Sequence, residues 1–228
     1  MCGRFVIHTP LSVIARDYFG VQVSVGDTLA NYNVTPGQQI AVIRMGSGGD
    51  DGEGLIFDRS YWGFRPKSAG EDAPLSINAR AETVASSRYF SHSFLNRRCL
   101  IPANGWYEWQ KTASGKQPFY VTPREDVSDP LLFFAGIWTP TGQGVSTCCA
   151  IITEPAAREF DEVHHRQPVI LDAQTIQSWI SPEIQDRNSI KALVRRRPID
   201  QLTWFPVSTD VNKPTNNNES LIIPADRF

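Results

Sequence analysis

Between residues 98 and 153, the stretches 98–102, 105–110, 118–122, 131–139 and 145–153 are short, rich in aromatic and β-branched residues, and separated by Gly, Pro, Asp and Ser turns. This spacing commits the middle of the chain to an antiparallel sheet that curls on itself as a barrel or a sandwich. At 228 residues, 41% of them apolar and 11% aromatic, the chain can bury a sizeable core. No internal repeat and no Pro/Gly/Ser linker divides it, so one domain over 1–228 is expected.

The flanking segments are less regular. Leu11, Ile14, Ala15, Tyr18 and Phe19 recur at helical spacing, with Thr9-Pro10 as cap and first turn and Gly20 as the stop, so a helix over 10–19 is expected. A turn-rich loop at 31–37 leads into a strand at 40–45, a Gly- and Asp-rich hairpin connection at 46–54 and a returning strand at 55–62. Residues 76–83 read as a short helical or irregular segment, and 86–96 have helical spacing. Further on, Asp172 can cap a helix carrying Ile176, Trp179 and Ile180. A second helix is expected over 182–195, a strand pair at 202–207 and 221–223, and Arg195, Arg196 and Arg197 read as a solvated helix end.

A formal net charge of −2 gives no global basic signature, so any contact with nucleic acid must come from a local cluster of arginines. The N-terminus lacks a basic-then-apolar signal region, and no uninterrupted apolar run approaches the ~18 residues of a membrane span. A reducing, cytoplasmic compartment with free thiols follows as the expectation. Of the four cysteines, Cys148 and Cys149 are adjacent, as are His164 and His165, and no spacing wraps one tetrahedral ion. Neither a metal nor a cofactor is expected.

Strongly polar residues interrupt segments that otherwise read as core, and such conflicts tend to mark function. In Gly105-Trp106-Tyr107-Glu108-Trp109, strand alternation puts Trp106 and Glu108 on one face and Tyr107 and Trp109 on the other. A carboxylate among aromatics is desolvated, which raises its pKa toward neutrality and suits it to proton transfer, although it reads equally as a partner for a core arginine. His164, His165 and Arg166 could supply a proton shuttle and an anion contact, or be surface residues before a strand. Asn78 and Arg80 could orient a polar group and an anion together, or simply cap a helix.

At the other extreme stands Met1-Cys2-Gly3-Arg4. Trimming of Met1 would leave Cys2 with a free α-amine and a thiol on adjacent carbons, with reference pKa values of ~7.7–8.0 and ~8.5. Such a pair condenses with an aldehyde twice, first as an imine and then, through sulfur, as a five-membered thiazolidine. Gly3 permits close approach to the backbone, and Arg4 sets a permanent cation two residues away. The same tetrapeptide also reads as an ordinary frayed end.

Taken in order, MCGRF, YNVTPGQ, the WGF at Trp62, INARAET, CLIPANGWYEW, HHRQPVIL and WFPVST resemble the SRAP family of abasic-site processing proteins, nearly from end to end. The resemblance implies a single α+β domain with a curved antiparallel, barrel-like core and flanking helices. It implies capture of a ring-opened abasic sugar in single-stranded DNA as a thiazolidine on the N-terminal cysteine. It assigns Cys2 as nucleophile, Asn78 as the amide beside it, Glu108 as the catalytic glutamate and His164 as the histidine. Arg4, Arg80, Arg88, Trp109, Thr153 and Arg166 fall on DNA-contact positions, and Pro36 in a loop that parts neighbouring bases. His165 stands where the family often has Asp, and Gln167 where it often has Met or Arg, which leaves the choice between the two imidazoles resting on the spacing to Arg166 and Pro168.

By this resemblance the chain is a monomer whose partner is single-stranded DNA, with no membrane involved; a replication-machinery partner is not legible in the sequence. Self-catalysed removal of Met1 and weak strand-cleaving lyase chemistry are accessible to the same residues. Two other classes stay open. One is a hydrolase using Cys2, His164 and Glu108 on amide substrates; the other is a non-covalent single-strand binding module.

Overall fold

The computed structural model describes residues 2–23, 30–46, 54–141 and 146–225. In chain order these residues form β1 (Phe5–Ile7), α1 (Leu11–Phe19), β2 (Asn31–Val34), β3 (Gln39–Met45), β4 (Leu55–Trp62), β5 (Asn78–Arg80), α2 (Ser91–Asn96), β6 (Arg98–Ala103), β7 (Gly105–Thr112) and β8 (Gly115–Pro123). There follow β9 (Leu132–Pro140), β10 (Thr147–Pro155), β11 (Arg166–Pro168), α3 (Ile176–Ile180), α4 (Arg187–Leu193) and β12 (Leu202–Pro206). The architecture is α+β and mostly strand.

The strands form two sheets rather than one closed barrel, with orders β12-β8-β7-β1-β2 and β11-β10-β4-β3-β6-β9. Within the larger sheet β9 also pairs β10, which is why both strands are buried at every residue but the last. Nor is the core wholly antiparallel. β4 runs parallel to β10, pairing Tyr61 with Cys148 and Trp62 with Cys149. The chain then leaves β10, as the Gly63 N–H reaches the Cys149 carbonyl, and returns to the same edge where Ile151 N–H reaches the Ile77 carbonyl. β5 thus resumes the line of β4, pairing Ile151 with Asn78 and Thr153 with Arg80. Residues 76–83, expected to be helical or irregular, therefore contain a strand. Backbone hydrogen bonding to β10 overrides local propensity there.

Strand alternation splits the smaller sheet between two apolar clusters. Phe5 and Trp106 face the larger sheet, where Phe5 packs on Trp62 and Phe134 with ring centroids 5.3 and 6.1 Å apart. Val6 and Tyr107 face the other way, toward Tyr120, Val207, Val211 and Leu221. The tail of the chain covers this second face. Its segment Glu219–Ile222 is a 3₁₀ turn instead of the expected strand, because Leu221 is drawn into that cluster. Strands β7 and β8 approach so closely at Gly105 that a Cβ there would sit 2.4 Å from the Val121 carbonyl oxygen. Glycine is required there.

Several boundaries differ from the sequence expectation. α1 starts at Leu11 with Pro10 as its cap residue, and the Thr9 hydroxyl instead accepts from Asn104 Nδ2 at 2.8 Å. Gly20 ends the helix in the left-handed region at φ 66°. The helix expected over 182–195 is only α4, which Asp186 caps through the Ser189 N–H. Arg197 is not a solvated helix end: it is buried and donates to the Leu131 and Asp129 carbonyls, and Arg196 pairs with Glu154 at 2.5 Å. Most of the 46–54 connection lies outside the described residues; its edges meet through Gly46 N–H and the Gly54 carbonyl at 2.8 Å.

Candidate active site

β1 runs antiparallel to β7 with Phe5 opposite Trp106, and the Tyr107 N–H donates to the Arg4 carbonyl at 2.9 Å. That register carries the start of the chain past Glu108. From the larger sheet β5 delivers Asn78, whose Nδ2 donates to the Cys2 carbonyl at 2.9 Å. The Asn78 Oδ1 is buried and has no hydrogen-bond partner among the described residues. Cys2 itself is fully buried. Burial first, and then the nearby Glu108 carboxylate, push its thiol far above the ordinary range, so the sulfur is a protonated thiol at neutral pH.

Glu108 is buried on the same strand face as Trp106. Loss of hydration raises its carboxyl to about 7. His164 Nε2 lies 3.7 Å from Glu108 Oε2. The imidazole is held down to about 4, again mainly by burial. An ion pair would move both values the opposite way, so the pair rests as a carboxyl near its midpoint beside a neutral ring. The Arg166 N–H donates to His164 Nδ1 at 3.0 Å. The same Nδ1 lies 3.0 Å from the Arg166 carbonyl oxygen, so the Arg166 backbone orients the ring through Nδ1 and leaves Nε2 facing Glu108. His165 stacks on His164 with ring centroids 4.5 Å apart but is exposed. The geometry places His164, not His165, against the carboxylate.

Arg166, Thr153 and Arg80 gather on one flank. The Arg166 guanidinium donates to the Thr153 carbonyl at 2.8 Å and hydroxyl at 3.2 Å, and forks onto the Glu82 carboxylate through both terminal nitrogens. This bond holds the Glu82 carboxyl below its usual range. Arg80 sits opposite Thr153 in the strand register and is exposed. On the smaller sheet, Arg4 lies 5.7 Å over the Trp109 ring. Pro36 is exposed in the β2–β3 turn, where Gly37 adopts φ +87°. Arg88 is exposed in the turns before α2. Among the described residues no hydrogen bond or ion pair joins Pro36 or Arg88 to the cluster of Cys2, Asn78, Glu108 and His164. Met1 lies outside the described residues, and no group of three or more His, Cys, Asp or Glu among those described is placed to hold a metal ion.

Sequence reasoning passed over Glu82 as a partner of Arg166, placed Asn33 in a turn-rich loop and did not single out Asn212. Asn33 is buried and accepts from Arg4 Nη1 at 2.6 Å, and Asn212 accepts from the Trp109 indole N–H at 2.7 Å. Nothing in a polar loop sequence signals that one of its amides is internal.

Comparison with known proteins adds to this geometry. The family model described as SOS response associated peptidase (SRAP) matches residues 1–214. The abasic site processing protein YoqW of Bacillus subtilis is 31% identical over 97% of this chain and 99% of its own length. YedK of Escherichia coli, which carries the same description, is 31% identical over 98% of this chain and 100% of its own. A crystal structure of a protein from Bacteroides thetaiotaomicron shares the fold, with a TM-score of 0.79 over 98% of this chain and 100% of that one at 21% identity. A phage-related protein from Bordetella bronchiseptica matches at a TM-score of 0.73 and 27% identity, covering 91% of this chain and 95% of that one. By sequence over nearly its whole length, this chain belongs to the SOS response associated peptidase (SRAP) family.

Proposed function

We propose that this chain processes abasic sites in single-stranded DNA, capturing the ring-opened sugar as a thiazolidine on Cys2. The observation that carries this reading is the convergence, at one place between the two sheets, of Cys2, Asn78, a carboxyl raised to about 7 on Glu108, and a neutral His164. The relatives' description as abasic site processing proteins supports it.

The chemistry requires Cys2 to carry a free amine, so Met1 must leave. In a self-catalysed route the Cys2 thiol adds to the Met1 carbonyl as its proton passes to the amide nitrogen, the amide C–N bond breaks to leave the free amine and a thioester, and water hydrolyses the thioester to methionine and the restored thiol. His164 Nε2 then relays a proton from the C1 hydroxyl of the closed sugar to its ring oxygen, so the C1–O ring bond breaks and the aldehyde is freed. The Cys2 amine adds to C1, Glu108 protonates the carbinolamine hydroxyl, and water departs to leave an imine. Asn78 holds the Cys2 backbone for this attack. The thiol then adds to the imine carbon while its proton passes to nitrogen. Closure spares the strand, because the open imine can otherwise expel the 3′ phosphate by β-elimination, a weak lyase reaction. Protonation of the thiazolidine by Glu108 reverses the link.

The state of the sulfur weighs against the hydrolase alternative. A cysteine hydrolase attacks as a thiolate stabilised by an imidazolium, whereas here burial keeps the thiol protonated and the imidazole neutral. In aldehyde capture the amine leads and the thiol follows, so no thiolate need accumulate.

The test is to incubate Met1-processed protein with single-stranded oligonucleotides that do or do not contain one abasic site. A denaturation-resistant shift with the abasic strand alone is expected; equal behaviour of the two strands contradicts the reading. Strand affinity should come from phosphate neutralisation with little sequence preference. Arg166→Ala is expected to weaken binding evenly across sequences and to lower the slope of log affinity against log salt by about one. An unchanged slope would remove Arg166 from the phosphate contacts.

A further inference from the structure

The second apolar cluster exists because the tail of the chain folds over the outer face of the smaller sheet, burying Val211 and Leu221 against Val6 and Tyr107. Several hydrogen bonds of that tail meet at the side chains of Asn33 and Arg4. Asn33, 1% exposed, donates from Nδ2 to the carbonyls of Val211, Lys213 and Asn216 at 3.3, 3.1 and 2.8 Å. Its Oδ1 accepts from Arg4 Nη1 at 2.6 Å, and the same Nη1 also donates to the Val211 carbonyl at 2.6 Å. The next residue, Asn212, is exposed and takes the Trp109 indole N–H. Arg4 and Trp109 are thereby fixed against each other, the guanidinium over the ring.

The acceptors holding Arg4 among the described residues are all neutral. Among the described residues no carboxylate pairs with it, in contrast to Arg166 with its Glu82 partner. A half-buried guanidinium held by carbonyl and amide oxygens keeps its full charge for an incoming anion, and a half-buried indole pinned at its N–H holds its ring in one orientation for stacking.

We propose that the tail makes a preformed phosphate-and-base platform of Arg4 and Trp109, with Asn33 and Asn212 as positioning residues for strand binding. This deepens the reading given under Proposed function and rests on it. Preorganisation of this kind acts on affinity, since the side chains need no ordering when the strand arrives.

Asn33→Ala opens a buried network and risks the fold, so the exposed Asn212 carries the test. Asn212→Ala, Asn212→Gln, Arg4→Ala and Trp109→Ala are compared for affinity toward an intact single strand and for adduct formation with an abasic strand. For Asn212→Ala we expect affinity to fall roughly three- to tenfold, the worth of one hydrogen bond, and the adduct rate at saturating strand to hold. Asn212→Gln, which keeps an acceptor oxygen, recovers most of the affinity. Wild-type affinity in Asn212→Ala, with Arg4→Ala and Trp109→Ala both weakened, overturns the positioning role alone. Wild-type affinity in Arg4→Ala and Trp109→Ala overturns the platform together with their assignment as strand contacts. A fall in the saturating rate of Asn212→Ala places that residue in the reaction centre and contradicts the proposal.

Discussion

Processed protein carrying Cys2→Ala is expected to give no denaturation-resistant adduct with an abasic strand, while its binding to an intact strand stays near that of wild type. The variant keeps the α-amine, so it still reaches the imine; what it lacks is the sulfur that closes the ring. Borohydride should therefore trap this variant on the abasic strand, and without borohydride the imine either hydrolyses or loses the 3′ phosphate. Nicking of the abasic strand should rise above the wild-type level, measured on a denaturing gel. The Cys2 side chain fills a small site within the main core, and its loss to alanine costs little packing. A non-covalent binding module would show no change in any of these readouts.

Glu108→Gln should make the protein slower and, above neutral pH, more stable. The amide has the shape of the carboxyl and cannot exchange a proton, so adduct formation at pH 7 is expected to fall by roughly 10²-fold or more. The limb of the wild-type pH profile near 7 should disappear with it. The stability effect follows from the direction of the shift, upward from 4.5 to about 7. Below the unfolded value both states hold the proton and wild type and variant are equal. As pH rises past it the unfolded chain ionises first while the folded protein retains its proton, so the folded state loses ground until its own value is passed. The full loss is on the order of 3 kcal/mol. His164, displaced downward, acts in the opposite sense and weakens the fold as pH falls below the ordinary imidazole range. Comparing the urea midpoints of wild type and variant at pH 4.5 and pH 8 cancels that contribution. Equal midpoints at pH 8 would show that Glu108 is not desolvated as described.

How far the sequence discloses this arrangement depends on the kind of interaction. Period-two alternation around Trp106 and Glu108 is local, and the structure places those two side chains toward the main core with Tyr107 turned away, as the pattern implies. The strands at 98–103, 105–112 and 132–140 were legible for the same reason. The pairing of β5 with β10 was not, because a three-residue strand owes its existence to the edge it meets rather than to its own residues. Arg197 shows the same limit: three successive arginines look like a solvated terminus, yet one is inside because two carbonyls, from Asp129 and Leu131, await it. Asn33 and Asn212 were hidden likewise, since their partners lie 178 and 103 residues away in the chain. The meeting of Cys2 with Asn78, Glu108 and His164 joins four distant segments, and only the resemblance to a known family, not any pattern in the residues, brought them together in advance.

The intact mass of the wild-type adduct, taken with and without borohydride, reaches the centre of this account most directly. A species equal to processed protein plus abasic strand less one water, unchanged by borohydride and absent once the α-amine has been acetylated, is the predicted result. An adduct that gains two hydrogens under borohydride, or one that forms on protein with a blocked amine, would contradict ring closure by the Cys2 amine and thiol together.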